Sequence, residues 1–285
     1  MIRFRAVKHA VASLAILAAA CFPAMGQTPD GDGPQASSAA GYELSRGEEA
    51  YRNAYYDEAI AHFQKAAELA PNLLAAKSYL ATALAQKLTE SRLPGPDAPE
   101  SRKIAERAIE LFQEVLAEKP HDVDSMKRIA ALEFSVKKWE AAKAWQMKLL
   151  AENPKDAEAA YTVGVIDWME AHQNVLDALA PAGMTDDGEG NAKAPAEAMK
   201  AIKAQNEALV EEGMRYLRQA LANRPGYGDA MAYLNLMYRR KADLDWDDIE
   251  ARKDDLAKAA RWMHKAMRAY KAGGKKRAGS VSSQL

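Results

Sequence analysis

The 285-residue sequence holds a single cysteine, Cys21, so a disulfide-stapled scaffold is excluded. Glycine is scarce, 16 residues with no triplet period, which excludes a collagen-like chain. Aromatic residues make up 7% while alanine-rich segments recur throughout, a balance that favours helices over sheets. Neither sign of charge dominates, since 39 Lys+Arg face 40 Asp+Glu. With 48% hydrophobic residues the chain has enough apolar surface to fold, so a wholly disordered protein is excluded too.

The first residues present a targeting pattern. Arg3, Arg5 and Lys8 precede the apolar run Ala10 to Phe22, and no acid occurs before Asp30. That run is shorter than the roughly 20 residues of a bilayer span and fits the h-region of a signal peptide. Pro23 breaks the helix, and Ala24-Met25-Gly26 sets small residues before a cleavage point at Gln27. A lipoprotein signal is the competing reading, because Ala18-Ala19-Ala20-Cys21 resembles a lipobox with Leu17 one place early; an uncleaved anchor is the third. Residues 1–26 are thus expected to be a signal peptide and 27–40 a flexible linker. Removing the leader leaves 36 basic against 40 acidic residues, a net of −4. A mildly acidic exported protein is not built to bind nucleic acid, which needs a concentrated positive field.

The remainder is periodic. In Gly47 to Asn72, small residues fall at Gly47, Ala59 and Ala66, aromatics at Tyr51, Tyr56 and Phe63, and a helix-stopping proline at Pro71. Antiparallel helices cross closely only where a small side chain meets a large one, and proline then turns the chain into the next unit. The pattern resembles the tetratricopeptide repeat. Ala108, Phe112, Val115 and Pro120 repeat it, as do Ala142 and Pro154 with Trp139 at the turn. Tyr161-Thr162-Val163-Gly164 restarts a first helix that Gly213, Leu217, Ala220 and Pro225 close, and a last pair runs from Asp229 to Ala266. The resemblance implies an all-α fold, a right-handed superhelical array of about five helical hairpins spanning 41–271. The segments Ala160 to Trp168 and Met231 to Asp243 also resemble a family of exported bacterial tetratricopeptide proteins of unassigned activity, which bears on fold and export but not on mechanism.

Proline spacing locates insertions. Pro120 to Pro154 is 34 residues, one clean repeat, whereas Pro71 to Pro120 is 49 and Pro154 to Pro225 is 71. The first excess lies near 89–102, around Pro94-Gly95-Pro96 and Pro99. The second is read as one repeat enlarged by 37 residues near 171–209, because a further repeat would put Leu176 and Ala180 at small and aromatic positions. In that insertion Ala196 to Ala222 reads as one unbroken helix about 40 Å long, paired with a helix from Ala157 towards Leu179 and projecting as a finger.

No motif of catalysis is found: no G-x-S-x-G, no phosphate-cradling glycine loop, no H-E-x-x-H and no mature cysteine. His62, His121, His172 and His264 are scattered. The expectation is a protein that is not an enzyme and carries no cofactor. Asp243, Asp245 and Asp247 alternate as in a calcium loop, but Asp248 replaces the turn glycine and Asp254 the closing glutamate. Asp186-Asp187-Gly188-Glu189-Gly190-Asn191 is acidic without ligand periodicity. Helix capping and solubility account better for both, so no metal is expected.

The best-motivated site is the concave groove that the resemblance implies. First-helix positions facing inward in the family correspond here to Tyr51 and Arg52; Tyr79, Thr82 and Gln86; Lys127, Arg128 and Phe134; Tyr161, Thr162 and Trp168; and Tyr233, Arg239 and Arg240. Aromatics among basic residues suit a peptide with apolar anchors and carboxylates. Ala131 stands where the family's carboxylate-clamp variant would need asparagine, so that clamp is not present as such. The plainer alternative is that several of these aromatics pack between neighbouring repeats. At the C-terminus Arg252, Lys253, Lys258, Arg261, Lys265, Arg268 and Lys271 make the last helix basic, and Lys275-Lys276-Arg277 follow in a tail at 272–285 expected to be disordered. A solubilising cap explains this helix more simply than membrane contact does.

The sequence is therefore read as an exported, non-catalytic adaptor that binds a protein or peptide segment in its groove, periplasmic or secreted. Two alternatives remain: an envelope lipoprotein held by Cys21 in a membrane complex, and a glycan or small-ligand binder using Trp168 and its neighbours. Membrane contact is expected only through a lipidated Cys21 or the basic C-terminal helix.

Overall fold

A computed structural model describes residues 38–89 and 98–282. The expected signal peptide, Cys21 and most of the linker lie outside the described residues, as does much of the first insertion. Ten α-helices, with no strand, make up the described residues: α1 Ser38–Arg52, α2 Tyr56–Leu69, α3 Leu74–Lys87, α4 Pro99–Glu118, α5 Val123–Ser135, α6 Trp139–Glu152, α7 Ala157–Leu179, α8 Ala196–Asn223, α9 Gly228–Leu244 and α10 Ile249–Ser282. The fold is all-α. Successive helices pack in pairs, α1 on α2 through α9 on α10. The chain divides into two compact units, residues 1–152 with α1–α6 and residues 153–285 with α7–α10.

Local chemistry fixes the helix starts. Asp122 and Asp156 are N-caps, their carboxylates accepting from the backbone of Ser125 and from Glu158 and Ala159. Pro99 opens α4 where its missing N–H costs nothing. Asp248, one of the acidic residues before α10, accepts from the amides of Glu250 and Ala251, as the capping reading expects.

In the first unit the small-on-large rule is visible in one contact. A Cβ placed on Gly47 of α1 would lie 2.5 Å from two ring carbons of Phe63 in α2. Phe63, Ala59 and Ala66 are fully buried, and Phe63 and Ala59 join Leu80, Ala108, Phe112 and Ile129 in one core. Ala40, expected in the linker, is already helical and buried.

In the second unit two long helices, not four short ones, occupy 157–223. They approach closely because both carry glycine at the crossing: a Cβ on Gly164 would meet Leu217 Cγ at 2.5 Å and the Gly213 carbonyl at 3.0 Å. Farther along, the fully buried Asn206 donates to the Ala171 carbonyl and accepts from Asn174, pinning the register. The far end of this hairpin is not the free projection expected from the sequence. Val175, Leu179, Ala194, Met199 and Ile202 form a separate small core that takes in Met184 and, from the α9–α10 turn, Trp246. The last helix also differs from expectation, since α10 runs through the segment assigned to a loose tail.

Candidate functional site

The first helices of the first unit present a mixed aromatic and cationic face. Tyr51 is nearly buried, edge-on to Tyr56 at 5.4 Å, and burial, reinforced by Tyr56 and opposed by Arg128, pushes its phenol up to about 12. Tyr79 stays half-exposed with its ring 5.5 Å from Phe63, and burial with help from Glu48 raises its pKa. The Arg128 guanidinium stands 5.9 Å from the Phe112 ring and is partly accessible; Phe134 is half-buried and Lys127 exposed. Lys127 and Phe134 are two turns apart on one side of α5, with Arg128 beside them. Gln86 is half-exposed, donating to Thr89 Oγ1, and Arg52 is exposed at 3.8 Å from Glu48. Thr82 is buried.

The corresponding positions of the second unit are interior, and the groove expected there is corrected accordingly. Tyr161, Trp168 and Tyr233 are each less than a tenth exposed. Tyr161 lies 4.9 Å from Tyr227 and 5.6 Å from Tyr233, and Tyr233 lies 5.5 Å from Trp168, which stacks on His172 at 5.0 Å. Burial is the leading cause of the raised pKa of Tyr161 and of Tyr227, and it lifts Tyr233 to about 12. The physical reason is that α9 packs across both α7 and α8, so rings on α7 and α9 face one another rather than solvent. Thr162 is buried as well, its hydroxyl donating back to the Glu158 carbonyl.

Arg239 and Arg240 do not await a ligand either, because the loop between α7 and α8 takes them. Arg239 donates to the Gly188 carbonyl at 2.6 Å, and Arg240, 3% exposed, donates to both oxygens of Asp186 at 3.0 and 2.8 Å. Asn191 donates to Asp186 and to Asp243, while Asp243 also lies 3.2 Å from Arg240 in a charge contact without hydrogen-bond geometry. His172 Nδ1 is 3.4 Å from Asp186. The loop is rigid by construction: Asp187 accepts from the amides of Glu189 and Asn191, and Gly188, Gly190 and Asn191 have positive φ. Burial alone would raise the Asp186 pKa, but His172, Arg240 and Asn191 hold it well below the usual carboxylate range. Asp243 goes the other way, burial outweighing Arg240 and lifting it to about 7.

Sequence reasoning picked out both halves of this cluster, the acidic loop and the Arg239-Arg240 pair, and joined neither to the other. It missed Asn191 and Asp243 as partners, and His172 as the side chain beside Asp186. The signal that could have found them was charge complementarity between an Asp-Asp-Gly-Glu-Gly-Asn loop and two consecutive arginines. The calcium pattern does not converge: Asp243 faces Arg240 and Asp245 pairs with Lys241. Among the described residues no group of His, Cys, Asp and Glu is arranged to hold a metal ion. Among those residues, too, no helix is long and apolar enough to cross a membrane.

Comparison with known proteins bears on the fold. The family model of the tetratricopeptide repeat matches residues 105–164. Among solved structures, MamA from Desulfovibrio magneticus RS-1 superimposes with a TM-score of 0.54 at 17% identity, covering 84% of this chain and 98% of that one. A second MamA crystal structure gives 0.54 at 14% identity, covering 83% and 94%. YrrB, described as a tetratricopeptide-repeat protein with an unusual peptide-binding site, reaches only 0.48 at 16% identity, covering 80% and 90%. No curated protein matches the sequence.

Proposed function

We propose, from the tetratricopeptide-repeat match over residues 105–164 and the all-helical fold, that the chain acts as a protein-interaction adaptor and that its binding face is carried by the first unit alone. The observation that carries this reading is the contrast between the two units. On α3 and α5, Tyr79, Gln86, Lys127, Arg128 and Phe134 keep accessible surface, while their counterparts on α7 and α9 are buried or bonded to the chain's own loop. A partner segment with an apolar anchor and a carboxylate suits that set: the rings take the anchor and Arg128 with Lys127 the charge. A pre-formed helical face loses little conformational entropy on binding, so a few such anchors suffice. The chain is read as non-catalytic, and as exported on the strength of residues 1–26; N-terminal sequencing of the protein from the cell envelope, starting at Gln27, tests the latter.

Cross-linked capture from the native envelope, followed by mass spectrometry, tests the adaptor reading. The variant Lys127→Ala, Arg128→Ala, Phe134→Ala should lose the captured partner with its helical circular dichroism intact. Arg239→Ala should keep it, because Arg239 serves the internal loop. Trp168 is not a fair probe, as its ring is interior. Capture that survives the triple variant and is lost with Arg239→Ala would overturn the assignment to the first unit.

A further inference from the structure

The last helix carries the densest run of cations in the chain. After Asp255 no acidic residue occurs up to residue 285, while Lys258, Arg261, Lys265, Arg268, Lys271, Lys275, Lys276 and Arg277 do. Eight cations without an acid, in a chain otherwise close to balance, make this segment strongly basic. The first two of them are partly neutralised: Lys258 pairs with Asp254 and Asp255, and Arg261 stands 4.0 Å from Asp254. Beyond that turn Lys265, Arg268 and Lys271 are exposed, and none is ion-paired among the described residues.

Alpha-helix α10 is presented firmly rather than loosely. Ala259 and Ala266 are fully buried, Asn235 of α9 donates to the Ala259 carbonyl, and the Tyr270 hydroxyl donates to Asp229 at 2.6 Å. Gly228 leaves room for the Tyr270 ring, which a Cβ there would meet at 2.8 Å. Next to the cations runs an apolar edge: Trp262 and Met263 are half-buried, Met267 is 45% exposed and Tyr270 49%. Lys265 lies over the Trp262 ring at 4.0 Å.

We propose that this outer face of α10 docks on an anionic membrane surface. The cations are spread along successive turns instead of converging on a cleft, which suits a field of headgroups better than a single carboxylate partner. Trp262, Met263 and Met267 at partial exposure beside them are side chains that settle at the headgroup level, while Tyr270 stays tied to Asp229. Long Lys and Arg stems let the charges reach lipid phosphates while the helix stays packed on α9.

The test uses the full chain with vesicles of phosphatidylcholine containing about one-third phosphatidylglycerol, against phosphatidylcholine alone. Quenching by brominated lipids, assigned to Trp262 by difference from Trp262→Phe, reports this face whatever the apolar segment at 10–22 does. Trp262 should be quenched by the anionic vesicles only, and the quenching should vanish in high salt. The variant Lys265→Gln, Arg268→Gln, Lys271→Gln should need about a hundredfold more anionic lipid for the same quenching, with unchanged circular dichroism. Equal quenching by neutral vesicles, an unchanged triple variant, or no quenching with either lipid would overturn the proposal. Binding of polyglutamate without Trp262 quenching would overturn it as well and put an acidic polypeptide in the lipid's place.

Discussion

Replacing Gly47 by alanine sets two effects of known size against each other in one helix. Alanine in a helix interior is favoured over glycine by about 1 kcal/mol, because it has less backbone freedom to lose. At Gly47 the new methyl would sit 2.5 Å from Cδ1 and Cε1 of Phe63. Comfortable carbon contacts are about 3.5–4 Å, so roughly 1 Å must be found. The Phe63 ring is 0% exposed and has no solvent to swing into. Either it leaves its rotamer or α1 and α2 move apart, and overpacking of this kind costs about 1–3 kcal/mol. With two ring atoms that close, the cost lies near the upper end, and the net effect should be a loss of about 1–2 kcal/mol. Gly41, in the same helix, has nothing within 4 Å of its would-be Cβ, so Gly41→Ala should be neutral or stabilise by up to about 1 kcal/mol. Native-state amide exchange, followed by mass spectrometry on peptides from α1 and α2, measures both. If Gly47→Ala proved as protected as Gly41→Ala, the close crossing of α1 over α2 would not be what holds this pair together.

The second unit yields two predictions around Arg240. Asp243 is raised to about 7 in the folded chain, so its stabilising contribution is greatest at low pH and is lost as pH rises from about 4 through 7. Asp186, shifted down, loses its contribution only as pH falls below the ordinary carboxylate range, so of the two carboxylates at Arg240 it is Asp243 that adds slope above pH 5. Exchange in the 184–194 loop should therefore quicken from pH 5 to 8 after correction for intrinsic rates, and Asp243→Asn should flatten the profile; a flat wild-type profile would contradict the assignment. Arg240→Ala strands the Asp186 and Asp243 carboxylates together, and urea unfolding should show the second unit weakened by about 3–5 kcal/mol. A change under 1 kcal/mol would mean that the loop is held mainly by the Met184 and Trp246 packing.

The helical hairpins were legible because their signals are local and redundant. Gly47 on one helix faces Phe63 on the next, whose own helix buries Ala59 and Ala66 one turn to either side, and prolines end the second helices. The same arithmetic found the long pair α7 and α8, since a further repeat at 171–209 would have needed small and aromatic residues where Leu176 and Ala180 stand. The course of α10 was less legible. Gly273-Gly274 and a basic, serine-rich sequence read as a tail, although the helix already held by Tyr270 and Ala266 continues past them.

The groove was legible only where nothing else in the chain competed for it. Tyr79 and Tyr233 hold the same place in their repeats, and no property of either residue says that one ring stays half-exposed while the other is 2% exposed. The difference comes from partners far along the chain. Trp168 and Tyr161 close over Tyr233 because α9 crosses α7, and the loop made by the 37-residue enlargement brings Asp186 to Arg240, 54 residues away. A repeat template assumes that each first helix meets only its neighbours. An insertion long enough to fold back breaks that assumption, and it does so at the inward-facing arginines, because there two exposed cations most strongly favour an acidic loop. On this reasoning the acidic loop and the Arg239-Arg240 pair are one device: removing the carboxylate that Arg240 grips, as in Asp186→Ala, should leave Arg240 with Asp243 as its remaining acidic partner and quicken amide exchange across 184–194, and unchanged exchange there would refute it.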